Sequence, residues 1–192
     1  MRKAVLERAT NETSVKVSID LDNKAKPKIS TGIGFFDHML DLFAFRAGIA
    51  LKVECKGDLH IDGHHTAEDV GITLGQAILC ALGDKKGIAR YGQSSIPMDE
   101  SLASCALDIS GRPFLVFNAD IRADRIGDFD SELMEEFFRA LCSHSGITLH
   151  INLIYGKNSH HIAEAIFKAF GCAFKEAIKV NGDDVASSKG VL

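Results

Sequence analysis

The alternation of apolar and polar positions is clearest in TSVKVSIDL (13–21), where Val15, Val17, Ile19 and Leu21 fall on one side. A period of two predicts a strand with one face buried. LASCALDI (102–109) repeats the pattern, and FLVFNADI (114–121), after the turn SGRP, is expected to form a hairpin with it. The spacing changes to helical in FFDHMLDLFAF (35–45) and in SELMEEFFRALC (131–142). Further strands, IALKVEC (49–55) and ITLHINLI (147–154), each lead to a helix that opens at a His-His pair. In the later of these helices Ile162, Ile166, Phe170, Phe174 and Ile178 recur every four residues as a core stripe. Val70, Leu74, Ile78 and Leu82 do the same in the earlier one. Gly63 and Ser159 precede or open the pairs, where Gly or Ser is expected to cap a helix.

The order of elements is therefore given twice. His64, His65, Ala67, Glu68, Gly75 and Ala77 recur, at an offset of 96 residues, as His160, His161, Ala163, Glu164, Gly171 and Ala173. RAGIALKV (46–53) parallels HSGITLHI (144–151) at an offset of 98. A duplication into half-domains, 1–92 and 93–192, is expected, each an α+β unit in which helices cover one face of a β-sheet. A length of 192 residues with 46% hydrophobic content suffices for a normal core.

Charge narrows the partners. Twenty-two basic and 26 acidic residues are mixed along the chain, leaving no basic stripe to follow a nucleic-acid backbone. No run approaches the length of a membrane span, and MRKAVLERATNETSV has no apolar signal region, so a cytoplasmic protein is expected. Cys55, Cys80, Cys105, Cys142 and Cys172 lie far apart among apolar residues, and they read as reduced, buried thiols.

The candidate chemistry lies in the two copies of His-His-x-x-Glu. One such pattern alone would most simply be a helix start facing solvent; its retention in both halves points to metal ligation. Imidazole and carboxylate three or four residues apart on a helix can face one ion, whereas adjacent histidines diverge by about 100° and suit two. Mixed nitrogen and oxygen donors without cysteine favour Mn, Fe or Zn over Ca or Mg, with Mn(II) the best single choice. Lys168 shares a helix face with His161 and Glu164. His60, His144 and His150 lie in or beside strands and turns and are left outside the site.

FFDHML (35–40), HIDGHHTAEDV (60–70), LDISGRPFL (107–115), KNSHHIAEAIFKAF (157–170) and SSKGVL (187–192) together resemble the imidazoleglycerol-phosphate dehydratase family over essentially the whole chain. The resemblance implies dehydration of imidazole glycerol phosphate to imidazole acetol phosphate in histidine biosynthesis. It also implies halves similar to ribosomal protein S5 domain 2, and a large octahedral homo-oligomer, of 24 subunits in the family, with active sites between subunits. Carried over position by position, one manganese takes His64, His161 and Glu164, and the other His38, His65, Glu68 and His160. Glu136 stands 98 residues after His38, where family members often carry histidine, and is expected to serve as a fourth ligand. Arg90, Arg112, Lys168, Ser187 and Lys189 would surround the phosphate, with guanidinium groups suited to bidentate contact. Glu12 would be the base.

Cations on the substrate ring would favour its imidazolate form, which can expel the neighbouring hydroxyl to give a diazafulvene-like intermediate. That step acidifies the adjacent C–H for a carboxylate base. Two other readings fit the ligands alone: a two-metal hydrolase of phosphate esters, and a metal-storing scaffold with no need of the arginines or the C-terminal Ser and Lys.

Overall fold

The computed structural model describes residues 1–190 and 192. The chain runs β1 (Lys3–Ala9), β2 (Thr13–Asp20), β3 (Lys28–Ser30), α1 (Gly34–Ala47), β4 (Ala50–Gly57) and α2 (His64–Leu82). It continues with β5 (Tyr91–Met98), β6 (Ser101–Asp108), β7 (Phe114–Asn118), β8 (Arg125–Ile126), β9 (Phe129–Asp130), α3 (Leu133–Ser145), β10 (Thr148–Tyr155) and α4 (Ser159–Ala177). Two four-stranded sheets share one order, β1-β2-β4-β3 and β5-β6-β10-β7. The α+β expectation and the repeated order of elements hold. The strip β8–β9 is an addition to the second half. The second sheet begins at Tyr91, so a division after residue 92 would cut β5.

The expected hairpin between 102–109 and 114–121 does not form. β10 lies between β6 and β7, antiparallel to the first and parallel to the second, with Thr148 opposite both Asp108 and Phe114. Leu149 and Ile151 of β10 are fully buried, whereas no residue of β7 is. The more apolar strand takes the central place, and residues 109–113 cross two strand spacings of about 4.8 Å each. β1 and β5, at the opposite edges, were not apparent from periodicity, because β1 buries only Ala4 and β5 only Gly92.

Each sheet buries one face. In β2 the side chains of Val15, Val17 and Ile19 point inward, as the alternation predicts. All four helices lie between the sheets and run in the same direction. Phe36 meets Phe137 near the helix starts, with ring centroids 5.2 Å apart, and Phe43 stacks on Phe170 further along at 4.7 Å. The partner helices are exchanged between halves: α2 packs on α3 and α4 on α1. Two glycines at equivalent positions permit this close approach. A Cβ on Gly75 would lie 2.6 Å from the Leu141 carbonyl oxygen, and one on Gly171 would lie 2.7 Å from that of Phe43. The predicted stripes of α2 and α4 are buried in this layer.

Three cysteines are buried, and burial pushes the Cys55 thiol up to about 11 and that of Cys142 to about 12. Cys80 is exposed and Cys172 half-buried, contrary to the uniform burial expected, because each sits off the apolar stripe of its helix. Helix capping also differs. The Asn158 side chain, rather than Ser159, accepts hydrogen bonds from the His160 and His161 amides, and Gly63 caps α2 without a side chain.

Gly75→Ala and Gly171→Ala each force a methyl group against backbone, and each should destabilise the protein by about 1–3 kcal/mol. Urea denaturation would measure this, and an unchanged midpoint for both variants would show that the helices have room to part.

Candidate metal centre and anion-binding end

Parallel packing brings the N-termini of all four helices to one end. The Gly63 position lies against Ile33 and Leu133, and the Phe35 ring meets His160 edge-on at 5.2 Å. Both His-His pairs are carried there by the first turns of α2 and α4. Within each pair the rings are almost perpendicular, at 88° for His64 and His65 and 86° for His160 and His161. The expected divergence of adjacent histidines is thus realised.

His38 on α1 meets His160 and Glu164 on α4. Oε1 of Glu164 lies 2.9 Å from Nε2 of His38 and 3.2 Å from Nε2 of His160. These three donor atoms lie within 4.8 Å of one another and could hold a metal ion. The grouping crosses the two halves and differs from the distribution drawn from the family, which put Glu164 with His64 and His161. His160 and Glu164 are four residues apart on one helix face, so they reach the same point with His38. Glu164 is nearly buried, and its other oxygen accepts a hydrogen bond from Lys168. Burial alone would raise its carboxyl, but the bonds from Lys168, His38 and His160 outweigh this and hold it at about 2. Within one chain Lys168 therefore stands beside the ligand cluster, its Nζ also 3.1 Å from the Met98 sulfur, at the end opposite Arg90, Arg112, Ser187 and Lys189.

The second histidine of each pair is held by a carboxylate. Nδ1 of His161 lies 2.6 Å from Oε2 of Glu100, and Nδ1 of His65 lies 3.0 Å from Oδ2 of Asp58. These hydrogen bonds are the main reason that both imidazoles are raised above their ordinary values. Glu12 lies 3.8 Å from Nε2 of His65 at the β1–β2 turn. That turn is fixed by Thr10, whose hydroxyl accepts from the Glu12 and Thr13 amides, and by Thr13, which donates to the buried Asp69. His64 is partly exposed and Glu68 exposed. Glu136 on α3 lies 3.6 Å from the Arg139 guanidinium and joins no ligand cluster among the described residues. Of the histidines left out, His144 bonds the Ala140 carbonyl, and His60 and His150 are exposed.

A second group forms at the far end of α4. Arg90 adopts a left-handed backbone, φ 71°, with its amide bonded to the Ala177 carbonyl. Its guanidinium donates to both oxygens of Asp108, at 2.7 and 3.1 Å, and to the Ala186 carbonyl at 2.8 Å. Arg112 is exposed, with its guanidinium 3.8 Å from Asp108. The C-terminal segment lies along residues 87–90 through bonds from Gly87 to Asp184 and from Asn181 to Gly87. A turn follows in which the Ser187 hydroxyl accepts from the Lys189 amide. Arg90, Arg112, Ser187 and Lys189 thus belong to one end of the molecule, although Arg90 is already engaged by Asp108. Seventeen residues of α4 separate His160 from Ala177, which at 1.5 Å each is about 25 Å.

Periodicity gave no hint of Glu100 and Asp58. The pairing registers Lys3↔Asp20 and Tyr91↔Asp108 relate the two β-turns at an offset of 88, which makes Glu100 the counterpart of Glu12. That correspondence could have been found by aligning RATNETSV (8–15) with IPMDESLA (96–103).

In the metal-free protein these groups act on stability in opposite pH ranges. The lowered Glu164 contributes above its ordinary value of 4.5, and that contribution is lost as pH falls through about 2. The raised His65 and His161 contribute below 6.5, and their contribution is lost as pH rises through their folded values. Urea midpoints of the metal-free chain should therefore decline from pH 4.5 towards 2 less steeply in Glu164→Gln. Above pH 6.5 they should decline less in Asp58→Asn, and identical profiles for wild type and variants would contradict the assignment.

The family model of imidazoleglycerol-phosphate dehydratase matches residues 31–174. The chain is 54% identical over 195 residues to the imidazoleglycerol-phosphate dehydratase of Cereibacter sphaeroides, covering 100% of both. It is 54% identical over 193 residues to that of Acetivibrio thermocellus, covering 100% of this chain and 99% of the relative. Among solved structures, the enzyme from Staphylococcus aureus is similar with a TM-score of 0.85 and 45% identity, over 93% of this chain and 99% of its own. The Pyrococcus furiosus enzyme, solved in complex with (S)-C348, gives 0.84 and 37%, over 97% and 100%. A match of this length in both sequence and fold decides the matter: the chain belongs to the imidazoleglycerol-phosphate dehydratase family, and so among the hydro-lyases.

Proposed function

We propose that this chain dehydrates imidazole glycerol phosphate to imidazole acetol phosphate in histidine biosynthesis, using two Mn(II) ions per site in a cytoplasmic assembly with sites shared between chains. The observation that carries the reading is the separation of its two functional ends. The ligand cluster and the arginine cluster stand about a helix length apart, roughly 25 Å. A substrate made of one five-membered ring, three carbons and a phosphate is far shorter, so a site that uses both groups would combine one chain's ligands with another chain's arginines. This favours the closed homo-oligomer, octahedral in the family, over a monomeric enzyme. No helix among the described residues is long and apolar enough to cross a membrane.

The donor set fits manganese. Two imidazole nitrogens and a carboxylate converge at His38, His160 and Glu164, a mixture that suits a first-row divalent ion. The duplicated positions Glu136, His64 and Glu68 would form the other ligand set. His65 and His161, turned away from their neighbours, would complete sites on adjoining chains. This grouping is an alternative to the distribution that the family motifs imply, and it retains every residue in it. The common order of both sheets supports descent of the two halves from one duplicated unit.

When bound, Mn(II) supplies positive charge that favours the imidazolate form of the substrate ring. Arg90, Arg112, Ser187 and Lys189 hold the phosphate and so orient the three-carbon chain. Lys168 keeps Glu164 ionised and in place. Glu12, on its tethered turn, takes the proton from the carbon adjacent to the one losing hydroxide. The C–H electron pair becomes the new double bond, and the C–O pair leaves with the oxygen. The enol that results tautomerises to the ketone, and the phosphate ester stays intact.

Incubation of the manganese-loaded protein with imidazole glycerol phosphate should yield the acetol phosphate without inorganic phosphate. Phosphate release would instead favour a two-metal hydrolase. Glu12→Gln should retain metal and assembly but lose turnover by about 10²–10⁴-fold; near-wild-type turnover would remove Glu12 from the reaction. His38→Ala should lower bound manganese per chain and weaken assembly together, as expected when metals link subunits. Undiminished metal content would contradict its role as a ligand.

A further inference from the structure

We propose that Glu100 and Asp58 are positioning residues, each fixing the tautomer and direction of one metal-ligating histidine, His161 and His65 respectively. The proposal rests on the reading that these histidines are manganese ligands, and it concerns residues that the family motifs do not supply. Each carboxylate oxygen sits on Nδ1, at 2.6 Å in one half and 3.0 Å in the other. A carboxylate can only accept, so Nδ1 carries the proton and Nε2 keeps its lone pair for an ion. Nε2 of His161 lies 3.6 Å from Asp99, and Nε2 of His65 lies 3.8 Å from Glu12, so both point towards the carboxylates of the β-turns. The same arrangement arises twice from different sequence. Asp58 follows β4 just ahead of α2, while Glu100 reaches His161 from the β5–β6 turn. Convergence on Nδ1 from two unrelated places argues for the contact itself over inheritance from a common half.

Glu100 is the more constrained of the two. Its Oε1 accepts from the Ser101 hydroxyl at 3.1 Å and from the amides of Lys157 and Asn158 at 3.2 and 2.8 Å, which leaves Oε2 for His161. These bonds tie the turn to the residues that open α4, so the carboxylate, the cap and the ligand form one unit. They also dictate the result of an isosteric change. In Glu100→Gln the amide oxygen must stay with its three donors, and the NH₂ group is then presented to Nδ1. A donor there favours the tautomer protonated at Nε2, which leaves no lone pair on Nε2 for an ion.

The test is Mn(II) binding to the full-length assembly, followed by electron paramagnetic resonance of free Mn(II), together with the melting temperature of the metal-free protein. Wild type should bind two ions per chain. Glu100→Gln should weaken one of them by about 10–100-fold and leave the other unchanged, with little change in metal-free melting. Asp58→Asn should weaken the other ion, and the double variant should weaken both. Retention of both ions at wild-type affinity in Glu100→Gln would overturn the proposal. So would equal loss of both ions with a lowered metal-free melting temperature, the signature of a merely structural residue. Failure of wild type itself to bind Mn(II) would overturn the manganese reading and this inference with it, whereas failure of the variants alone leaves that reading standing.

Discussion

Close contact between exchanged helices is the constraint on which the rest of the molecule depends. α2 of the first half lies against α3 of the second, and α4 of the second against α1 of the first. Gly75 and Gly171 sit where any side chain would meet the neighbouring backbone. The helices also run in one direction, so their N-termini converge at one end of the molecule. His38 from one half then reaches Glu164 from the other at 2.9 Å. A wider spacing would leave the phenylalanine layer underpacked and the ligands apart. Core packing and ligand geometry are thus set by the same contacts.

Polar interactions act locally within this frame. The buried Asp69 holds the β1–β2 turn through Thr13 and Arg8, which presents Glu12 beside His65. Glu100 and Asn158 secure the start of α4, and through it the direction of His160 and His161. At the opposite end Asp108 engages Arg90, which donates to the Ala186 carbonyl, and backbone bonds of Gly87 with Asp184 and Asn181 keep the C-terminal segment along residues 87–90. The phosphate binding proposed there would require Arg90 to share its guanidinium with Asp108 or Arg112 to take the larger part. Arg112, exposed and only 3.8 Å from Asp108, is the freer of the two.

Much of this was legible in sequence where one physical period dominated. The stripes of α2 and α4, the alternation of β2 and the repeated His-His-x-x-Glu were visible because burial and ligation impose strict spacing. The edge strands β1 and β5 were not, since an edge strand buries too few side chains to leave a pattern. The supposed hairpin failed because local turn chemistry says nothing of a strand that inserts from 30 residues later; β10 won the central place through long-range packing. His38, His160 and Glu164 were identifiable as candidate ligands, yet their grouping was not. Helix exchange determines which donor meets which, and no spacing within one segment records it. Glu100 escaped for the same reason, as its role exists only once the β5–β6 turn folds onto α4.

The central claim is that a complete site takes its metal ligands and its phosphate-binding groups from different chains. Co-assembly of two inactive variants, His160→Ala and Arg112→Ala, measures this directly. Mixed oligomers, verified by native mass spectrometry, should regain turnover that neither variant has alone, because some sites then combine intact ligands of one chain with intact arginines of another. Mixed oligomers with no activity above the two parents would show that both defects fall within the same site, and would contradict the account.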